Sequence, residues 1–206
     1  DPIAEGPVIQ EADLRSLAQG TTTDKVFELT KKLSSRVDTP LVYMTYLNVL
    51  FKYGYDKFLQ NAKDAGISGV IVPDLPYEEK DELQSVAEKY DIDVISLIAP
   101  TSEDRIKMIA SDAKGFIYTV SSMGVTGMRN EIKTDLQSIV SHIKSVTDVP
   151  VAIGFGINKP QQAKEFSAYA DGVIVGSAIV NIVAEHGKDA PEYVFDYVKS
   201  MKDAIR

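Results

Sequence analysis

The sequence has 206 residues, of which 44% are hydrophobic and 25% are charged, and this is the composition of an ordinary globular domain. Its formal net charge of −8 argues against nucleic acid and against an anionic membrane surface as partners, but it leaves room for a local anion site. The sequence contains no cysteine, which excludes thiolate catalysis and thiolate metal ligands and fits a reducing cytoplasm. No apolar run approaches the ~18 residues of a membrane span, so we expect a cytoplasmic protein.

The chain opens with a loop and two helices. Two prolines and a glycine within residues 1–7 predict a loop. Apolar residues then recur at helical spacing over 14–18. A second apolar face covers 26–33, and Thr23 is the predicted N-cap of its helix. No strand is therefore expected before residue 40.

From residue 40 onward, short apolar runs typical of buried parallel strands alternate with amphipathic stretches typical of helices. The predicted strands cover residues 41–46, 69–72, 92–98, 116–120, 151–154 and 173–175. The predicted helices carry their apolar stripes at 58–65, 83–90, 106–110, 136–146, 163–166 and 194–201. The predicted helix-end residues are Gly66 as a stop, Thr101 with Asp104 as a capping box, Pro160 as a first helical residue and Asp189 as the last cap.

Two of the predicted strands end in small residues. The run Val149–Ile157 contains Gly-Phe-Gly after its strand, and Gly172–Val180 passes from a β-branched strand through Gly-Ser into a helical stretch. Free backbone N–H groups at such a helix start bind anions, and (β/α)8 barrels form phosphate sites after their last two strands. Glycines after strands are also ordinary turns. The predicted phosphate-binding residues, here called the phosphate cup, are Phe155, Gly156, Gly176 and Ser177.

Six predicted strands with crossover helices are compatible with an open doubly wound sheet and with part of a barrel. A phosphate cup on the last two strands, in a chain that opens with loop and helix, favours the barrel. The predicted fold class is thus α/β of the (β/α)8 TIM-barrel type. On this interpretation residues 1–206 hold the equivalent of strands 3–8 in a single domain, and the first strand–helix–strand unit lies before Asp1.

Neither histidine offers an obvious catalytic or metal site. His142 lies beside the apolar stripe of the helix at 136–146, and His186 lies in a polar loop. The sequence neighbourhood suggests no serine or acidic partner for either, so both are predicted to be surface residues. Because no His-x-x-Glu or similar ligand spacing occurs, we expect no metal.

Five sequence blocks occur in an order that resembles the tryptophan synthase α chain family: DPIAEGPVIQ, PDLPYEE, FIYTVSSMGVTG, VPVAIGFGI and DGVIVGSAIV. The likeness runs from Asp1 to the C-terminus. It implies a TIM-barrel lyase of tryptophan biosynthesis that cleaves 1-(indol-3-yl)glycerol 3-phosphate to indole and glyceraldehyde 3-phosphate without a metal or organic cofactor. It also implies a partner, the tryptophan synthase β subunit, in an alpha2beta2-type assembly.

The same resemblance implies the catalytic residues. The family pairs a general acid–base glutamate, which would here lie upstream of Asp1, with a loop aspartate that takes up the indole N–H. Glu5 stands at the aspartate position with a side chain one methylene longer. Tyr118 is implied as a hydroxyl beside the substrate. Thr126 and Gly127 are implied as a mobile lid, with the threonine bonded to the loop acid and the glycine near phosphate.

The resemblance further implies a binding pocket and a partner surface. The implied walls of the indole pocket are Tyr46, Ile71, Tyr118 and Ile174, which by their positions in the strands are also ordinary barrel core. The implied β-subunit surface is Pro2, Asn48, Asp74 and Pro76, which by position are also ordinary strand-to-helix loops.

The substitution at position 5 motivates a second hypothesis, a non-catalytic or impaired phosphate-binding barrel that binds or activates a β subunit. A third hypothesis is a different phosphate-binding barrel enzyme that acts on another sugar phosphate; it shares the phosphate cup but not the five ordered blocks. Taken alone, Glu5 is also compatible with a solvated loop acid, as most single acids are.

Overall fold

The computed structural model describes residues 5–120, 135–154 and 156–206. In chain order the strands are β1 (Leu41–Met44), β2 (Ile67–Ile71), β3 (Asp93–Val94), β4 (Ser96–Ile98), β5 (Ile117–Val120), β6 (Val151–Gly154) and β7 (Gly172–Val173). The described strands form two parallel sheets, β1–β2–β3 and β4–β5–β6–β7, and strand order in space follows chain order. The predicted strand at 151–154 is confirmed at both ends.

The predicted strand at 92–98 is divided at Ile95, where the chain changes its pairing partner. Asp93 and Val94 pair with β2, and the Ile95 N–H still donates to the Val70 carbonyl at 2.9 Å. From Ser96 onward the chain pairs with β5 instead. The prediction of one uninterrupted strand was wrong because an apolar run does not reveal which neighbour its backbone pairs with.

Ten helices connect and cover these strands within the described ranges. They are α1 (Pro7–Ala18), α2 (Thr23–Ser34), α3 (Leu47–Tyr53), α4 (Tyr55–Asp64), α5 (Lys80–Ala87), α6 (Glu103–Ser111), α7 (Leu136–Lys144), α8 (Pro160–Phe166), α9 (Ser177–His186) and α10 (Ala190–Ala204). No helix in the described part of the chain combines the length and apolarity that crossing a bilayer requires.

Two predicted N-caps were wrong by one residue. Ser102 rather than Thr101 caps α6, with its hydroxyl accepting from the Arg105 N–H at 3.4 Å. Likewise, α2 begins at Thr23, and its cap is the preceding threonine. In both places neighbouring residues carry hydroxyls, so composition cannot choose between them; the residue whose backbone is still extended becomes the cap.

Three other predicted helix ends had different outcomes. Gly66 follows α4 with φ of +84°, which confirms the predicted stop, because glycine adopts this conformation without steric cost. Pro160 is the first residue of α8, as predicted. Asp189 precedes α10, but its side chain accepts no capping hydrogen bond, because its own backbone is already helical.

The sequence interpretation missed α3. Its residues, Leu47–Tyr53, mix branched, aromatic and polar side chains over two turns, which gives no clear periodicity. The helix ends at Gly54, where φ is +89°. Tyr46 is its N-cap residue, and the Tyr46 carbonyl accepts from the Val49 N–H at 3.1 Å. This short helix therefore fixes the backbone of a predicted site residue.

The sheets separate two apolar layers. On one face, two clusters join strand residues such as Val70 and Ile153 to the helices. The other face carries a cluster made of strand residues and the segments that continue them: Ile71, Ile95, Leu97, Phe116, Tyr118, Val120 and Ile174. Because strand side chains alternate between faces, Tyr118 points away from the helix layer. Three of the four predicted pocket-wall residues therefore lie in this cluster on the face away from the helices: Ile71, Tyr118 and Ile174.

The N-terminal helix lies beside the C-terminal part of the sheet. Helix α1 follows Glu5 directly and contacts α9, the helix that begins at Ser177. The N-terminal helix is thereby packed against the C-terminal part of the chain.

Candidate active site

Two side chains of the described residues donate hydrogen bonds to Glu5. The Tyr46 hydroxyl donates to Glu5 Oε1 at 3.2 Å, across a sequence separation of 41 residues. The Gln10 side-chain amide donates to the Glu5 backbone carbonyl at 2.6 Å. Tyr46 itself is only 7% exposed. The acid that the resemblance singled out is thus bonded to a buried pocket residue, which is more than a solvated loop position would require.

A cavity of about 460 Å³ opens beside this pair. Glu5 and Tyr46 line it, together with Met44 and Thr45 at the end of β1 and Pro73 in the loop after β2. Its walls are mostly apolar, as is usual for sites that hold small aromatic ligands. The carboxylate therefore faces a largely apolar space in which hydrogen bonds to a charge are stronger than in water.

The Tyr118 ring lies across the end of β6. A Cβ built on Gly154 would come within 2.4 Å of Tyr118 Cε2 and 2.6 Å of its hydroxyl oxygen. Only a residue without a side chain leaves room for the ring in this orientation. Gly154 was not among the predicted site residues, and the sole sequence signal for it is a glycine that closes an otherwise apolar strand.

Burial raises the pKa of the Tyr118 phenol to about 12, and the negative charge of Glu5 acts in the same direction. The hydroxyl therefore keeps its proton at neutral pH and is available as a hydrogen-bond donor. The structure thus joins Glu5 to Tyr46 by a hydrogen bond, whereas Tyr118 belongs to the strand cluster.

The phosphate cup lies at the carboxyl ends of β6 and β7. These strands are adjacent, and the Ile174 N–H extends their pairing by donating to Ile153 O at 2.7 Å. Gly156 adopts φ of +97°, a conformation that favours glycine. Its carbonyl accepts from the Asn158 side-chain amide at 3.1 Å, and the Asn158 carbonyl accepts from the Tyr197 hydroxyl at 3.0 Å. The loop after β6 is thereby anchored to α10.

Gly176 is the N-cap of α9, and its carbonyl accepts from the N–H groups of Ile179 and Val180. The N–H groups of Ser177 and Ala178 have no acceptor within the helix, because the first turn never supplies one. A Cβ at Gly176 would meet nothing within 4 Å. Helix α9 begins at Ser177, so the serine hydroxyl and two amides stand at the positive end of the helix.

Four of the predicted residues fall outside the described residues: Thr126, Gly127, Phe155 and Pro2. Ile71 and Ile174 pack in the strand cluster around Tyr118, and neither lines the cavity beside Glu5.

Of the predicted partner surface, Asn48, Asp74 and Pro76 are exposed at the carboxyl end of the sheet. Asp74 also has a structural role that the sequence did not predict: its Oδ1 accepts from the Leu47 N–H, the first of α3, at 2.9 Å.

The histidines differ from their prediction. His142 is half-buried, and its Nε2 lies 3.5 Å from Glu103 Oε2 on the adjacent helix α6, so the expectation of no acidic partner was wrong. Sequence neighbourhood could not show this pairing, because it joins two helices. His186 is also half-buried, and its ring stacks on that of Tyr193 at 3.6 Å. Among the described residues, no three acidic or histidine side chains converge as a metal site would require.

A second cavity, of about 430 Å³, lies between α5 and the strand segment at 91–97. It is lined by charged residues of the helix layer, including Lys80 and Asp112, which form an ion pair across it. None of the predicted site residues lines it. Neither Glu5 nor any residue of the phosphate cup lines this second cavity, so we do not assign it to the site.

Comparison with known proteins decides the family. A family model described as Tryptophan synthase alpha chain matches residues 1–206. The chain belongs to the tryptophan synthase alpha chain family. It is 50% identical to the tryptophan synthase alpha chain of Lacticaseibacillus casei, with 100% of this chain and 77% of the relative aligned. It is 47% identical to that of Lactiplantibacillus plantarum, with 100% and 78% aligned.

Solved structures of the tryptophan synthase alpha chain family share this fold. The alpha subunit of Legionella pneumophila superimposes with a TM-score of 0.86 at 36% identity, covering 100% of this chain and 78% of that one. A chain of the tryptophan synthase complex of Pyrococcus furiosus superimposes with a TM-score of 0.88 at 34% identity, covering 98% and 83%. The predicted TIM-barrel fold class and the predicted lyase activity in tryptophan biosynthesis are thereby confirmed. The non-catalytic alternative is not favoured.

Proposed function

We propose that the substrate spans the space between Glu5 and the phosphate cup. Its indole ring lies in the apolar cavity beside Glu5 and Tyr46, and its phosphate lies at Gly156, Gly176 and Ser177. The observation that carries this assignment is the hydrogen bond from Tyr46 to Glu5 in a largely apolar cavity. The acid and the cup both lie at carboxyl ends of strands, because Glu5 is bonded to Tyr46, which follows β1, and the cup follows β6 and β7.

The reaction breaks the bond between indole C3 and the neighbouring carbinol carbon of indole-glycerol phosphate. The carbinol hydroxyl loses its proton as that carbon becomes the aldehyde of glyceraldehyde 3-phosphate, and C3 of the indole gains one. We assign both proton transfers to the general acid–base glutamate that the family resemblance implies upstream of Asp1. Protonation of C3 leaves positive charge on the indole nitrogen, and a carboxylate that accepts the indole N–H stabilises this charge. Glu5 supplies that carboxylate, and Tyr46 orients it.

Tyr118 acts in this proposal as a hydrogen-bond donor rather than as a base. A phenol whose pKa lies near 12 does not give up its proton at neutral pH. Its hydroxyl can therefore donate to an oxygen of the substrate. Its ring packs with Ile71 and Ile174 in the strand cluster.

The phosphate is bound mainly by backbone groups. The start of α9 offers the N–H groups of Ser177 and Ala178 and the serine hydroxyl, and the helix dipole favours an anion there. Gly156 allows its loop to approach closely from the neighbouring strand. No lysine or arginine occurs in either cup segment, so the affinity for phosphate depends on geometry rather than on an ion pair.

We further infer that the product indole passes to a tryptophan synthase β subunit in an alpha2beta2-type assembly. The Pyrococcus furiosus relative is a chain of such an alpha2beta2 complex, which supports partnership. The surface proposed for this contact includes Asn48 and Pro76, which are exposed at the same end of the sheet as the site.

The lack of cysteine supports a cytoplasmic location.

The test is indole release from indole-glycerol phosphate by the purified full-length protein. Glu5→Gln removes the negative charge and is expected to lower kcat by about 100-fold, the cost of losing one electrostatic contact to developing charge. Glu5→Asp keeps the charge at shorter reach and is expected to retain more activity than Glu5→Gln. Glu11→Gln, at an exposed glutamate of α1, is the matched control and should leave kcat unchanged.

The same assay separates the competing hypotheses. Indole release by the unmodified chain contradicts a non-catalytic barrel. Equal activity of the unmodified chain and Glu5→Gln would contradict the role of the carboxylate. Turnover of a different sugar phosphate, with none of indole-glycerol phosphate, would favour another barrel enzyme.

A further inference from the structure

Asp74 lies in a stiff turn after β2. The Leu75 N–H donates to the Val72 carbonyl at 3.2 Å, which closes the turn. Pro73 precedes Asp74 and Pro76 follows the turn, and each proline fixes its own φ. Although the Asp74 residue is exposed, its backbone therefore has little freedom, and its carboxylate has a defined direction.

That carboxylate holds the first turn of α3. Asp74 Oδ1 accepts from the Leu47 N–H at 2.9 Å. Leu47 is the first residue of α3, and its N–H has no acceptor inside the helix. Tyr46, the N-cap residue, makes no side-chain cap of its own. The aspartate thus does from another loop what an N-cap side chain usually does.

The peptide unit between Tyr46 and Leu47 is consequently fixed by β2 and its turn. On one side the Thr45 N–H donates to the Ile71 carbonyl at 3.0 Å. On the other side the Leu47 N–H is bonded to Asp74. Between these two anchors stands Tyr46, whose buried ring carries the hydroxyl that donates to Glu5. The position of this hydroxyl depends on both anchors.

We propose that Asp74 is a positioning residue for the active site: by bonding to the start of α3 it orients Tyr46, and through Tyr46 it orients the Glu5 carboxylate. The catalytic consequence rests on the proposed function of Glu5. Because misplacement of a catalytic group by a fraction of an ångström already slows a reaction, loss of this anchor is expected to lower kcat more than it changes KM.

The test compares three variants of the purified chain. Asp74→Ala removes the acceptor, whereas Asp74→Asn keeps an oxygen that can accept from Leu47. Asp171→Ala is the matched control, since Asp171 also accepts one backbone N–H, that of Val151, at 2.9 Å, but near the opposite end of the sheet. Asp74→Ala is expected to lower kcat for indole release about tenfold with KM within about twofold. Asp74→Asn should recover most of this loss, and Asp171→Ala should leave kcat unchanged.

A second measurement does not depend on turnover. With ring-labelled tyrosine, the NMR signal of Tyr46 is assigned by its disappearance in Tyr46→Phe. Asp74→Ala should shift this signal, Asp74→Asn should shift it less, and Asp171→Ala should not. If the unmodified full-length protein releases no indole, the proposed function fails, but the NMR comparison still decides whether Asp74 positions Tyr46.

Three results would overturn the positioning role. The first is a Tyr46 signal that does not respond to Asp74→Ala. The second is an undiminished effect of Asp74→Ala on kcat in a Tyr46→Phe background, since coupled residues must show non-additive effects. The third is a loss that appears only when a tryptophan synthase β subunit is added, which would make Asp74 a partner contact instead.

Discussion

At the phosphate end of the site, the chain presents backbone groups that belong to adjacent strands and to the start of α9. At the acid end, the contacts are made by side chains from three separate segments: the N-terminal loop, the start of α3 and the turn after β2. The first arrangement follows from the pairing of β6 with β7 and is as rigid as the sheet. The second depends on individual hydrogen bonds between elements.

This difference determines which substitutions impair each end of the site. A backbone site tolerates changes of side chain but is sensitive to any residue that alters strand spacing or fills the space next to a glycine. A side-chain site is sensitive to removal of a single partner, because a charged group then loses its orientation. The predictions below separate these two kinds of sensitivity, beginning with the largest expected effect.

Gly154→Val is expected to have the largest effect, a fall of more than about 100-fold in kcat/KM. A Cβ at this position would overlap the Tyr118 ring, so the ring must leave the site or β6 must shift. Gly172→Ala in β7 is the matched control, since its Cβ would meet only the Ala152 side chain at an ordinary 3.8 Å. Kinetics of indole release measure both. Similar losses from the two variants would contradict a specific contact with Tyr118.

Ser177→Ala is expected to weaken phosphate binding about tenfold, because one hydrogen bond to a charged group is lost while the backbone N–H groups remain. The dissociation constant for glycerol 3-phosphate measures this directly. Ser200→Ala, at a serine on α10 whose hydroxyl bonds only to its own helix, is the control. A fall in kcat with unchanged binding would mean that the hydroxyl acts on the reacting end instead.

Asp171→Asn is expected to have the smallest effect. It should lower the free energy of unfolding by about 0.5 kcal/mol at neutral pH, because solvent screens the lost charge interaction. Burial alone would raise the pKa of Asp171, but the Val151 N–H and Lys144 outweigh it and lower the pKa. A carboxyl whose pKa is lowered by folding stabilises the folded state above its unfolded pKa, and this contribution is lost as the pH falls. Urea unfolding of both proteins should therefore show a difference at pH 7 that shrinks towards pH 3. A difference that persists in acid would exclude a role for the charge.

The alternation of strands and helices could be predicted from the sequence because it follows from the local spacing of apolar residues. Val151–Gly154 is an uninterrupted apolar run between a proline and a glycine-rich loop, and its limits were predicted correctly. The strand predicted at 92–98 is divided at Ile95, and this division depends on two different neighbouring strands. Helix α3 was missed because two turns are too short to establish a period.

The candidate site shows the same limit. Glu5 and the phosphate cup could be located because their motifs are contiguous in the sequence. The bond from Tyr46 to Glu5 and that from Leu47 to Asp74 join residues far apart in the chain, and nothing local announces them. The role of Gly154 likewise depends on the ring of a tyrosine in the neighbouring strand. Folding brings these partners together, so the sequence alone reveals the groups but not their arrangement.

The change of partner at Ile95 has a consequence for cooperativity. The segment at Ile95 and Ser96 connects the three-stranded sheet to the four-stranded sheet, because Ile95 is hydrogen-bonded to β2 and Ser96 pairs with β5. Melting of either sheet would therefore loosen the same extended segment. Glu5 and Tyr46 lie beside the first sheet, whereas Tyr118 and the phosphate cup belong to the second. The two ends of the active site are thus expected to lose their alignment together, as one thermodynamic unit.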